Sequence, residues 1–138
     1  MKEVDTIKEA YELLSRALEV EYQIIVHSPQ VARMMPEKEL SVKVEQLGLD
    51  SVRHADVVAA TISKLGGVPP FPRFEPLPEI LDVKWFFQKQ LELEHTALDL
   101  HRRASEIVGE ELAPSLQRLA ADERWHIKVV EDIISRLT

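Results

Sequence analysis

Apolar residues recur at alternating intervals of three and four along four stretches of this chain. That spacing places each set on one face of an α-helix. The first stretch reads Ile7, Tyr11, Leu14, Leu18, Glu21, Ile25, Ser28, Ala32 and Met35. The second reads Leu40, Val44, Leu47, Ser51, His54, Val58, Thr61 and Leu65. The third runs from Phe87 through Leu91, Glu94, Leu98, His101 and Ser105 to Val108, and the fourth from Leu112 through Leu116, Leu119, Glu123, His126, Val130 and Ile133 to Leu137. A helix with one apolar face must bury it against another. Four such stretches in 138 residues predict an all-α protein built as a four-helix bundle.

Proline and glycine set the boundaries. The pattern predicts helices over about residues 4–35, 37–65, 79–108 and 111–137, within one domain covering 1–138. Pro29 falls inside the first stretch and predicts a kink or break near Ser28. Pro36 ends that helix, Gly66-Gly67 ends the second, Gly109 ends the third, and Pro114 suits the first turn of the fourth. Residues 66–78 carry Pro69, Pro70, Pro72, Pro76 and Pro78, a density that favours extended chain. At about 3.1 Å per residue such a segment can traverse a bundle from end to end. Its apolar Val68, Phe71, Phe74 and Leu77 predict packing along the bundle surface.

The two halves of the chain resemble each other. The segment from Asp50-Ser51-Val52-Arg53-His54 to Ile62-Ser63-Lys64-Leu65 aligns without gaps on Asp122-Glu123-Arg124-Trp125-His126 to Ile134-Ser135-Arg136-Leu137. Likewise Ala17-Leu18-Glu19-Val20-Glu21 matches Gln90-Leu91-Glu92-Leu93-Glu94. A duplicated helical hairpin joined by a long crossover gives a pseudo-twofold bundle, in which Glu21 faces Glu94 and His54 faces His126.

Those four residues and Glu123 are polar intrusions in apolar seams. A single inward glutamate is usually solvated or paired, and a single inward histidine is usually a hydrogen-bonded core residue. Five at one depth call for a common explanation, and Glu123-x-x-His126 is the carboxylate–imidazole unit of metal sites in helix bundles. Glu19 and Glu92 lie on other faces and read as solvated. With no cysteine in the chain, disulfides, Fe–S clusters and thiolate sites are excluded, which leaves histidine and carboxylate ligands. The net charge of −7 argues against nucleic acid as a partner. No apolar run approaches the roughly 20 residues of a membrane span, and the first residues lack a signal core, so the expected location is cytoplasmic.

In combination, these features resemble the ferritin-like superfamily, near bacterioferritin and rubrerythrin: a glutamate on helices one and three, Glu-x-x-His positions on two and four, and a long crossover. The resemblance spans nearly the whole chain. It implies two iron ions, with manganese or a single ion as alternatives. Glu21 and His54 would serve one ion, Glu94 and His126 the other, and Glu123 would bridge them. It also implies reaction with O2 or peroxide, as in diiron oxidoreductases. The chain departs from the pattern at Ser51, where a second bridging glutamate is expected, and Asp50 beside it is a substitute to be weighed. Three inward glutamates supply −3 against the +4 of two divalent ions. Neither a cysteine-rich electron-relay domain nor a fifth helix is apparent.

His101 lies two turns, about 10 Å, beyond Glu94, too far to share its ion. It reads as a satisfied core histidine, with a supporting role behind a ligand as the alternative. Trp125 is expected under the crossover or at a dimer contact. Trp85, Phe86 and Phe87 are expected to pack against the crossover or a second subunit, and these aromatics suggest a homodimer. Two rivals to a redox enzyme share the same residues. One is a metal-handling module without turnover, and the other is a structural bundle whose site has degenerated at Ser51.

Overall fold

The computed structural model describes residues 2–137. Among them are four helices: α1 (Lys2–Ala32), α2 (Lys38–Lys64), α3 (Val83–Ser105) and α4 (Ala113–Arg136). The helix ends follow local chemistry. Helix α1 stops short of Met35 because Pro36 disfavours helical backbone in the residue before it. Helix α3 starts at Val83 rather than near residue 79, because Asp82 caps it and accepts the Trp85 N–H at 3.1 Å. Helix α2 closes with Gly66 at φ +86°, its N–H on the Ser63 carbonyl and the Gly67 N–H on that of Ile62.

Of the kink or break expected near Ser28, the break is absent: α1 runs through Pro29. A proline there has no N–H to give the Ile25 carbonyl. The neighbouring Ser28 hydroxyl donates to that carbonyl at 3.4 Å and takes over part of its satisfaction. Helix α2 approaches closely at this level. A Cβ added to Gly48 would sit 2.0 Å from Ser28 Oγ and 2.9 Å from Ser28 Cβ. Rotating the hydroxyl away would forfeit its bond and leave the Cβ clash. Gly48→Ala is therefore expected to destabilise the fold by about 1–3 kcal/mol, read as a lower urea midpoint at unchanged m-value.

The core falls into two apolar clusters. One holds Leu14 and Leu18 of α1, Val58 and Ile62 of α2, Leu100 and Ala104 of α3, and Leu116 and Leu119 of α4. The other holds Val31, Leu40, Val44, Phe87, Val130 and Ile133. On α1 and α4 the first cluster precedes the second in sequence; on α2 and α3 it follows. The members of each hairpin are thus antiparallel, and α2 ends at the opposite end of the bundle from where α3 begins. The connection must run the length of the bundle, and it does so along α1. Tyr11 Oη donates to the Val68 carbonyl at 3.1 Å, and farther along, the Glu75 N–H donates to Gln23 Oε1 at 3.0 Å. Leu77 packs on the second cluster as expected, but Val68, Phe71 and Phe74 are exposed, so of these four apolar residues only Leu77 anchors the crossover to the core. None of the described helices is long and apolar enough to cross a membrane.

The buried face of α3 is broader than its leucine seam. Gln90, Ala97, Leu100 and Ala104 are buried, while Leu91 and Leu98 are half-buried. Small side chains at positions 97 and 104 let neighbouring helices come close without giving a strong hydrophobic signal.

Candidate metal centre

Between the two apolar clusters lies a layer of ionisable side chains. Glu21, Glu94, Glu123, His54 and His101 are fully buried, and His126 is almost so. All five residues expected from the seams meet here, each carried inward by the residues one turn before and after it. Two groups have ligand atoms close enough to share a cation: Glu21, His54, His101 and Glu123 form one, and Glu94, Glu123 and His126 the other. Glu123 belongs to both.

Each imidazole is held from behind. His54 presents Nδ1 to Glu123 Oε1 at 2.9 Å and to Glu21 Oε2 at 3.1 Å, while its Nε2 donates to Asp122 Oδ2 at 3.0 Å. His126 mirrors this: Nδ1 lies 3.4 Å from Glu94 Oε2 and 3.6 Å from Glu123 Oε2, and Nε2 donates to Asp50 Oδ2 at 3.1 Å. The aspartate of each Glu-x-x-His segment, or its counterpart, thus orients the histidine of the other. Asp50 accordingly stands behind His126, at the rim of the layer, and the outward bond leaves Nδ1 as the inward nitrogen. Arg53 holds Asp122 in turn, at 3.1 Å. The two rings stack, with centroids 5.1 Å apart and planes 17° from parallel.

Burial and crowding set the protonation of this layer. Burial pushes Glu21 up to about 8 and Glu94 up to about 7; the Glu123 charge adds to both shifts, and the facing histidines partly offset them. Burial opposes the charged form of the histidines, but their carboxylate partners outweigh it and raise His54 to about 10 and His126 to about 11. Burial also opposes ionisation of Glu123, yet the imidazoles of His101, His126 and His54 around it hold its carboxyl well below the usual range. Without a cation the layer is therefore a proton-neutralised cluster: two imidazolium rings, an ionised Glu123, and two carboxyls that retain much of their proton.

The donor set fits a cation. Glu21 Oε1, Glu94 Oε1 and Glu123 Oε2 are among the buried oxygens that make no hydrogen bond, and Glu21 Oε2, Glu94 Oε2 and His126 Nδ1 have only the imidazole–carboxylate approaches given above, none of them a well-aligned hydrogen bond. Buried polar atoms left unpaired cost about 1–3 kcal/mol each, more when charged. Bound divalent ions would satisfy these atoms together. Oxygen and imidazole nitrogen are donors suited to iron or manganese.

His101 departs from the sequence reading. It is buried, but neither ring nitrogen has a hydrogen-bond partner, so it is not a satisfied core residue. Its Nε2 lies 3.7 Å from Glu123 Oε1, beyond hydrogen-bond range, and it joins the Glu21 group rather than that of Glu94. The sequence placed it correctly in the α3 seam, but spacing along one helix carries no information about the facing helices. Ser51 is fully buried with its hydroxyl unpartnered. Trp125 is 63% exposed and so does not lie under the crossover. Phe87 is buried, and Trp85 and Phe86 line a cleft of about 590 Å³ beside the crossover residues Leu77 and Pro78. None of the ionisable residues above lines that cleft.

No protein-family model matches the sequence, and no curated protein matches it. Solved structures do. A ferritin-like, diiron-carboxylate protein from Bacillus anthracis superposes with a TM-score of 0.81 at 23% identity, covering 94% of this chain and 97% of that one. The Rhodobacter capsulatus bacterioferritin, whose structure has a metal-free dinuclear site and a heme iron, matches with a TM-score of 0.74 at 26% identity, over 93% of this chain and 84% of that one. The Desulfovibrio desulfuricans bacterioferritin, with its diiron site, gives 0.75 at 22% identity, over 98% and 83% of the two chains.

Proposed function

We propose that this chain, a four-helix bundle of the ferritin-like superfamily, holds two iron ions between its helices and uses them in a reaction with O2 or peroxide. The observation that carries the reading is the burial of three carboxylates beside two back-held histidines, with most inward-facing atoms unpartnered. The fold likeness to diiron-carboxylate and bacterioferritin structures supports iron over other cations. Glu21 and His54 would hold one ion, Glu94 and His126 the other, and Glu123 both. When bound, the ions supply electrons to the oxidant.

The protein's own part is positioning and exclusion of water. Asp122 and Asp50 keep the Nε2 proton on each histidine and turn Nδ1 inward. The apolar clusters on either side close the layer against bulk water, which strengthens electrostatic attraction within it. Elemental analysis after anaerobic loading with ferrous iron and desalting tests the proposal. About two ions per chain, followed by consumption of O2 or peroxide, is the expected result. A folded protein that retains none would instead be a structural bundle. Retention of iron without consumption would assign the chain to iron handling, whereas the missing carboxylate at the buried position 51 bears on the structural-bundle reading.

Restoring the absent carboxylate tests the same geometry from the other side. Ser51→Glu is expected to tighten binding of the ion pair at least about tenfold in chelator competition. It is also expected to lower the melting temperature of the metal-free protein, because a fourth carboxyl enters a dry layer. Unchanged affinity would mean that position 51 does not face the ions.

Val42, Leu49 and Val52 are exposed on α2 at spacings of seven and three, which place them on one face. They support the homodimer suggested by the leftover aromatics, and sedimentation equilibrium tests it.

A further inference from the structure

We propose that His101 is itself a metal ligand and completes the Glu21 half of the centre in place of the carboxylate that Ser51 lacks. The proposal rests on the dinuclear reading above and makes the two halves unequal. In a symmetric centre of this kind each ion takes a terminal glutamate, a histidine and two bridging glutamates. Losing the bridge at position 51 leaves each ion three protein ligands. His101 restores the fourth to one ion only, giving Glu21, His54, His101 and Glu123 against Glu94, Glu123 and His126.

Three observations carry this. First, His101 is fully buried with both ring nitrogens unpartnered, an arrangement that is costly unless something else accepts the imidazole. Second, one ring nitrogen lies within 4.8 Å of ligand atoms of Glu21, His54 and Glu123, the spread that a shared cation spans. Its approach to Glu123 Oε1 at 3.7 Å is electrostatic and too long for a hydrogen bond, so it leaves both ring nitrogens open to a further partner. Third, the internal repeat gives the other half no equivalent. The register that pairs Glu21 with Glu94 pairs Ser28 with His101, and the Ser28 hydroxyl is turned back onto the Ile25 carbonyl against Gly48. The chain has lost an oxygen ligand on α2 and gained a nitrogen ligand on α3, on one side of the pseudo-twofold axis.

The exchange has a chemical consequence. A neutral imidazole replaces an anionic oxygen, so the Glu21 half has two nitrogen and two oxygen donors. That set suits Fe²⁺, Co²⁺ or Zn²⁺ better than Mn²⁺ or Mg²⁺.

Proton NMR of the full chain loaded anaerobically with Co²⁺ reads the ligands directly. A ligated imidazole keeps an N–H on its far nitrogen, and paramagnetic Co²⁺ shifts that exchangeable signal out of the diamagnetic envelope. The wild type is expected to show three such signals, from His54, His101 and His126. His101→Gln is expected to show two, with one of the two ions bound about 100-fold more weakly. Two signals from the fully loaded wild type would overturn the role of His101 and leave the dinuclear centre standing, and that count does not depend on whether the variant folds. Three signals persisting in a folded His101→Gln would also overturn it. Failure of the wild type to bind Co²⁺ and ferrous iron would remove both readings together.

Discussion

Glu123→Ala is expected to eliminate retention of both ions, from about two per chain to none after desalting. Among the described residues Glu123 is the only carboxylate common to the two groups, so its loss takes a donor from each at once. Terminal residues then remain on opposite sides of a gap. The remaining inward glutamates supply −2 against +4. Nothing from the protein would offset the mutual repulsion of two cations. The fold is expected to survive with reduced stability: the substitution takes the shared carboxylate from His54 and His126, which then lose their extra protons more readily, while alanine keeps the helix. The metal-free variant carries its own signature. Glu123 heads the partners that raise His54 and His126, so both histidines should titrate at lower pH than in the wild type, as read from imidazole proton shifts. Glu19→Ala, on the exposed face of α1, is the matched control and should keep full stoichiometry. Retained stoichiometry in folded Glu123→Ala would sink the assignment of the bridge.

The parts of this centre legible in the sequence are those written in one-helix periodicity. Glu21, His54, Glu94, Glu123 and His126 each replace an apolar residue in a seam with a spacing of three and four, and all five are buried together. The fold was legible for the same reason, since glycine and proline punctuation isolates four amphipathic stretches. What escaped the sequence depends on contacts between helices. Asp50 and Asp122 lie one step off their seams, and only the crossing of α2 and α4 shows that each reaches the other's histidine. His101 was visible as an inward residue, but its distance from Glu94 along α3 hid its nearness to Glu21 and His54 across the bundle. Whether Pro29 ends α1 depends on what satisfies the orphan carbonyl, and the Ser28 rotamer that helps to do so is not encoded in spacing. Leucine likewise drew attention from alanine on α3: Ala97 and Ala104 are buried where close helix approach selects small side chains.

Loading of the centre should depend steeply on pH, because the protein neutralises the empty layer with protons that the ions must displace. At pH 7 the metal-free His54 and His126, raised to about 10 and about 11, both carry an extra proton. Glu21, raised to about 8, is mostly protonated, and Glu94, at about 7, is half so. Glu123 is already ionised and contributes none. Binding two divalent ions requires neutral imidazoles and ionised carboxylates, so roughly three protons should leave per centre filled. Low pH holds the protons in place and excludes the ions; rising pH removes the competitor. The overall two-ion constant should therefore increase by about three log units per pH unit near pH 7. The slope should shrink as pH passes about 8, where Glu21 is half ionised and losing its remaining proton, and stay positive toward the histidine values. Calorimetric titration with Mn²⁺ or Co²⁺ in buffers of different ionisation enthalpy counts the protons directly. Release near three would identify the empty centre as an imidazolium–carboxylate cluster held at near-neutral charge, which explains how an apolar bundle tolerates three glutamates before metal arrives. Release near zero would mean that the histidines are neutral in the empty protein, and the close approaches to Glu21 and Glu123 would then have to be sustained without imidazolium charge.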